Sequence, residues 1–173
     1  TNNSSNRETE PAIRAVELRK TYREGVFTRK KFQALNGISF EVPAGRVFGL
    51  LGPNGAGKTT FVKVLMGIIR HSAGSATVFG TPAGSLAARR MIGYLPEKLS
   101  LPNYLTGYQA LEYCGGLSGL SGGQVRAKRD ELISLVGLEG WGKSRISKYS
   151  KGMVQRLGLA QAMLHQPKLL VLD

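Results

Sequence analysis

Nine consecutive residues, Gly52-Pro53-Asn54-Gly55-Ala56-Gly57-Lys58-Thr59-Thr60, carry the clearest chemistry in this sequence. They fit the spacing G-x-x-x-x-G-K-[ST]. Glycines at these positions let backbone N–H groups converge on phosphate oxygens without interference from Cβ atoms. A helix that begins at the end of such a loop adds the positive end of its dipole. Lys58 would then reach terminal phosphates, and the Thr59 hydroxyl would ligate Mg²⁺. The apolar run 46–51 before the loop predicts a buried strand. Val62, Leu65, Met66 and Ile69 after it form a helical stripe, so the context is strand, loop, helix.

Three further segments narrow the reading. They are Ile92-Gly93-Tyr94-Leu95-Pro96-Glu97, then Tyr149-Ser150-Lys151-Gly152-Met153-Val154-Gln155-Arg156, then Leu169-Leu170-Val171-Leu172-Asp173. Together with the glycine loop, and in this order, they resemble the ATP-binding cassette (ABC) ATPases from about residue 13 to 173. The resemblance is to ATP-binding subunits of exporter-type systems. It implies ATP and Mg²⁺ as cofactors. The strand ending in Asp173 resembles the Walker B motif, which sets a carboxylate beside Mg²⁺. Residues 149–153 resemble the family signature, with Ser150 a good helix N-cap and Gly152 leaving backbone open to a phosphate. That helix start would face ATP bound to a second ABC ATPase domain in a nucleotide-sandwich dimer. Glu97 stands where the family usually has the Gln of the Q-loop, and would act on Mg²⁺ or the attacking water. Tyr22 is the candidate to stack on adenine, with Phe27 and Phe32 as rivals.

Lys151 and Met153 depart from the common Leu-Ser-Gly-Gly-Gln signature, whereas Leu120-Ser121-Gly122-Gly123-Gln124 matches it letter for letter. Ser121 lies 52 residues before Asp173, and Ser150 lies 23 before it. Only the second spacing holds one helix, a turn and a strand. The literal match is therefore read as a loop between helices.

The elements that must position these residues follow from periodicity and breakers. Strands are expected at 13–18 (an edge strand), 38–42, 46–51, 75–79, 91–95 and 169–172, the last buried. Helices are expected at 59–69, 86–90, 106–114, 125–136 and 150–165, with Gly137 as a helix C-terminal glycine and a glycine-rich loop at 115–123. Residues 1–11 read as a disordered tail, and 12–173 as one ATPase domain. Within it, 12–98 form a β region and phosphate-loop core, 99–149 a helical subdomain, and 150–173 the signature helix and last strand. The fold class is α/β, a P-loop NTPase with a RecA-like core, an N-terminal β region and an inserted helical subdomain, C-terminally incomplete.

Composition sets the outer limits. The 173 residues carry 24 Lys+Arg against 11 Asp+Glu, a net charge of +13, and are 42% apolar, which excludes wholesale disorder. Glycine, at 23 residues, is well above ordinary usage. One cysteine (Cys114) and two histidines (His71, His165) exclude a disulfide framework and a zinc-type cluster. Cys114, Trp141, Met66 and Met163 read as packing residues, and the basic clusters at 19–31 and 126–129 as solvated faces. No apolar run is long enough to span a bilayer. The resemblance implies a membrane permease, as another polypeptide or a missing part of this one, with the chain cytoplasmic and peripheral on the inner face of the cell membrane. A nucleic-acid-associated cassette ATPase is the alternative class, disfavoured because the basic residues are scattered. A small-molecule kinase leaves 149–156 unexplained. The family's catalytic Glu and switch His would lie past Asp173, so this chain is expected to bind ATP weakly and hydrolyse it poorly. Its central sheet is expected to have a gap beside 46–51.

Overall fold

The computed structural model describes residues 10–24 and 30–173, which fall into two units, Thr1–Arg89 and Arg90–Asp173. The tail expected over 1–11 lies, up to residue 9, outside the described residues, as does Phe27.

The first unit is built on two long strands, β1 (Ile13–Glu24) and β2 (Lys30–Val42), with the helix α1 (Lys58–Leu65) and the short strands β3 (Ala73–Val78) and β4 (Thr81–Pro82). The helix α2 (Leu86–Arg90) ends it. The strands form one antiparallel sheet in the order β2-β1-β3-β4. Ile13, Ala15 and Leu18 of β1, Leu35 and Val42 of β2, Val78 of β3, and Val62 and Leu65 of α1 are among the buried apolar residues of these elements. Leu18, Leu65 and Val78 are fully buried, each contributing about 1.5–3 kcal/mol relative to exposure. β1 was expected at an edge and instead lies between two partners. The short alternating run at 13–18 did not reveal that Arg19, Lys20 and Tyr22 continue the strand. The basic stretch is thus largely ladder, with Arg19 also paired to Glu17 and hydrogen-bonded to Asn36.

The second unit starts with β5 (Ile92–Leu95), runs through α3 (Gly107–Leu117), α4 (Gly122–Leu135), a 3₁₀ turn (Ile146–Lys148) and α5 (Lys151–Met163), and returns in β6 (Leu169–Leu172). β5 and β6 are parallel, so a crossover of this size is required, and the helices supply it. Their core joins Leu111 of α3, Val125 and Ile133 of α4, and Leu157, Ala160 and Leu164 in and just after α5. Thr106 and Ser121 each close a capping box, with Gln109 and Gln124. Gly137 lies just past α4 with φ 64°, the left-handed position expected of it.

Four expectations are corrected here. The glycine-rich loop shrinks to 118–121, because Gly115 extends α3 and Gly122 opens α4. Arg129 is no solvated charge. It lies over the Tyr108 ring at 4.3 Å and binds Glu112 at 2.6 Å, tying α4 to α3. The run 46–51 forms no ladder: among the described residues no strand pairs with it, and Val47, Phe48, Leu50 and Leu51 are exposed. Only Phe48 finds a ring, stacking on Phe40 at 5.8 Å. An apolar strand is buried only when neighbours flank it, and β5 has β6 as its sole partner among the described residues. For the same reason β6 is half-exposed, with Leu170 and Leu172 open to solvent.

Hydrogen exchange should divide accordingly. Amides of residues 47–51 should exchange at close to unfolded-chain rates, while those of Ala15, Leu18 and Ala76 should be protected by orders of magnitude. Strong protection across 47–51 would contradict the unpaired geometry.

Candidate functional site

The glycine loop is built against β2. In the β1–β2 register Lys20 faces Leu35 and Thr21 faces Gln33, so Ala34 is the extra residue of a β-bulge. Its carbonyl points at the loop: a Cβ on Gly57 would run into the Ala34 oxygen and lie 2.8 Å from Leu35 Cδ2. Gly57 also has φ 89°, a conformation that costs an L residue about 1–2 kcal/mol. Both facts demand glycine. Gly57 is the N-cap of α1 and no side chain caps the helix, so its first N–H groups keep their hydrogen-bonding capacity. No acidic residue sits in the first turn. Lys58 Nζ donates to the carbonyls of Gly52 (2.6 Å) and Pro53 (3.0 Å), which holds the ammonium over the loop. Gly52, Pro53, Asn54, Gly55 and Ala56 are exposed, as is Thr59, while Thr60 is half-buried. Uncapped N–H groups and an ammonium are the donors a phosphate chain needs, an exposed hydroxyl can offer Mg²⁺ an oxygen, and among the described residues no salt bridge engages Lys58. The residues fit the group.

Tyr22 faces Phe32 across the β1–β2 ladder, two residues along β2 from Ala34. It is half-buried, with Lys20 Nζ 5.0 Å from its ring centroid, while Phe32 is exposed. Both aromatics therefore stand on the strand pair that seats Gly57.

In the second unit the carboxyl ends of the two parallel strands bring two acidic residues to one sheet edge. Leu95 pairs with Leu172, Asp173 N donates to the Leu95 carbonyl at 3.0 Å, and Glu97 follows β5 by two residues. This is the edge at which parallel α/β sheets bind ligands. Asp173 Oδ2 accepts a hydrogen bond from the Tyr94 hydroxyl at 3.2 Å. Burial, and then the charge and hydrogen bond of Asp173, raise the Tyr94 pKa above that of a free phenol. Glu97 is exposed, and its backbone carbonyl accepts from Gln155 of α5 at 3.4 Å.

Ser150 N-caps α5, accepting from Met153 N at 3.3 Å, with Tyr149 anchored behind it. Tyr149 donates its hydroxyl to the Trp141 carbonyl at 2.7 Å and meets the Trp141 ring edge-on at 5.9 Å. A Cβ added at Gly152 would meet nothing closer than Ser150 Oγ at 4.0 Å. The fold does not require glycine there, although glycine weakens a helix. The literal match at 120–124, expected as a loop, also starts a helix, with Ser121 as N-cap. Its Gln124 is spent in the capping box, and α4 ends far from any strand carrying a terminal Asp. His165 donates Nε2–H to the Ile92 carbonyl at 3.1 Å, a packing contact, and burial raises the Cys114 thiol pKa, which makes it a poor nucleophile. Among the described residues no group of three or more His, Cys, Asp or Glu could hold a metal by itself.

Sequence reasoning quoted Tyr94 but gave it no role, and passed over Ala34. The signal for Tyr94 lay in strand register: in a parallel pair the residue facing Val171 shares a face with Asp173.

Residues 35–173 match the family model described as "ABC transporter". The chain is 44% identical over 95% of its length to an uncharacterised ABC transporter ATP-binding protein of Nostoc sp., of which it covers 50%. It is 40% identical over 90% of its length to the doxorubicin resistance ATP-binding protein DrrA of Mycobacterium tuberculosis, covering 46% of that protein. The chain thus spans about half the length of the curated relatives it matches. Among solved structures it resembles cbiO1 of Clostridium perfringens, described as part of the ABC transporter complex cbiONQ. The TM-score is 0.77 at 25% identity, over 95% of this chain and 65% of that one.

Two glycine substitutions should behave oppositely. Gly57→Ala should destabilise the first unit by about 1–2 kcal/mol or more, whereas Gly152→Ala should leave stability unchanged or raise it by up to about 1 kcal/mol. Urea denaturation of both variants checks this. Equal losses would contradict the geometry.

Proposed function

Because the chain belongs to the ABC transporter family, we propose that it is the nucleotide-binding portion of an exporter-type ATP-binding subunit. That subunit would couple ATP binding and hydrolysis to movement of a membrane permease. The observation that carries this reading is the Gly57 seat: a glycine forced by the Ala34 carbonyl, an uncapped helix behind it, and Lys58 held over the loop. The relatives support the exporter direction, since one is named for drug resistance.

Each residue then has a role. The N–H groups of Gly55 and of 57–60 and the Lys58 ammonium bind and neutralise the phosphates, and the Thr59 hydroxyl offers the metal an oxygen. Asp173 and Glu97 offer carboxylates at the strand ends. Bound Mg²⁺ would supply charge neutralisation to the β- and γ-phosphates. Tyr22, or Phe32 opposite it, offers the adenine a ring face. Ser150 and Gly152 present an N-terminal helical turn to the phosphates of a nucleotide on a second ATPase domain. The glycine at 152, unneeded by its own fold, supports that close approach. Residues 99–149 act as the helical subdomain toward the permease.

Lys58→Ala should weaken ATP binding by roughly 10–100-fold, the loss of hydrogen bonds to a charged group. Its far-ultraviolet circular dichroism should stay unchanged. Titration with a fluorescent ATP analogue measures the first. Binding that survives the substitution would defeat the reading.

A further inference from the structure

We infer that Tyr94 is a positioning residue for the Asp173 carboxylate, fixing one of its oxygens so that the other is presented to the metal. The inference rests on the proposed role of Asp173 as the metal-side carboxylate. It starts from register. β5 and β6 are parallel, with Tyr94 opposite Val171 and Leu95 opposite Leu172. Asp173 is two residues beyond Val171, so its side chain leaves the same face as that of Tyr94. Its backbone is held as well, since Asp173 N continues the ladder to the Leu95 carbonyl at 3.0 Å.

With the backbone fixed, the carboxylate retains rotation about its two side-chain bonds. The Tyr94 hydroxyl, 3.2 Å from Oδ2, removes much of that freedom. A phenol has a single proton to donate and a carboxylate only accepts, so the direction of the bond is fixed. Oδ1 receives no protein donor among the described residues of this unit. A carboxylate with one oxygen hydrogen-bonded and one open is the arrangement that outer-shell partners impose on metal-ligating acids, and their loss lowers metal affinity by 10-fold or more. Tyr94 itself is anchored on a paired strand, between the buried Gly93 and the half-buried Leu95, so its ring has a firm base.

The test is nucleotide binding with and without Mg²⁺, using the whole chain and a fluorescent ATP analogue. Tyr94→Phe removes only the hydroxyl. It should raise the Mg²⁺ concentration needed for half-maximal enhancement of binding by about tenfold, leave Mg²⁺-free binding unchanged, and leave the melting temperature unchanged. Asp173→Asn should abolish the enhancement, and Tyr94→Phe added to it should have no further effect, as expected for two residues acting through one carboxylate. If Asp173→Asn impairs the Mg²⁺ dependence and Tyr94→Phe does not, the positioning role is overturned and the role of Asp173 stands. If Tyr94→Phe lowers Mg²⁺-free binding equally, or acts additively with Asp173→Asn, Tyr94 is merely structural and the inference falls. A wild-type chain without Mg²⁺ enhancement, or an Asp173→Asn variant that keeps it, would remove the premise and the inference with it.

Discussion

A single carbonyl oxygen governs the first unit. β2 carries unpaired residues at its register shifts, and the one at Ala34 turns its oxygen out of the sheet toward the loop that follows. Only a residue without Cβ can sit against that oxygen, and only a residue tolerant of φ near 89° can turn there into α1. Gly57 meets both conditions. Everything of interest in the loop depends on that seat: where α1 begins, the direction in which its free N–H groups point, and the reach of Lys58 back over Gly52 and Pro53. The long strand pair is thus less a scaffold beside the glycine loop than the die that shapes it.

The second unit reaches a related end by different means. Two four-residue strands are too short to be stable alone. The three helices of the crossover pack around Leu111, Val125 and Leu157 and hold the strands in parallel register. That register delivers the Asp173 backbone to Leu95 and its side chain to Tyr94. The capping boxes at Thr106 and Ser121 and the N-cap at Ser150 fix where each helix starts. Tyr149, wedged between Trp141 and Gly107, keeps the Ser150 turn from drifting.

Legibility in the sequence followed locality. The loop 52–60, the helix starts at Thr106 and Ser150, and the glycine after α4 were readable because each is decided within a few residues by capping, periodicity or φ. The family was readable because four such segments occur in order. What could not be read depends on residues distant in the chain. Whether 13–18 is edge or interior is decided by β3, some sixty residues on. Whether 46–51 is buried is decided by neighbours that its composition cannot name. Arg129 looked like a solvent charge because Glu112 and Tyr108 lie a helix away. The exact signature match at 120–124 shows the converse, since letters alone do not distinguish two serine-capped helices. The expectation for Ser150 rests instead on the strand that follows its helix and the carboxylate at that strand's end.

The unpaired run Val47-Phe48-Gly49-Leu50-Leu51 has a colloidal consequence. It has no charge and no proline, strong β preference, and backbone groups that seek partners along much of its length. Segments of this kind template strand addition between molecules. The guards that natural sheets place on such edges, a charged residue or a proline, stand here only at its margins, at Pro43, Arg46 and Pro53. The chain's excess positive charge keeps molecules apart at low ionic strength, and salt removes that protection. For these 173 residues, self-association therefore reflects the balance between a net charge of +13 and a five-residue adhesive stripe.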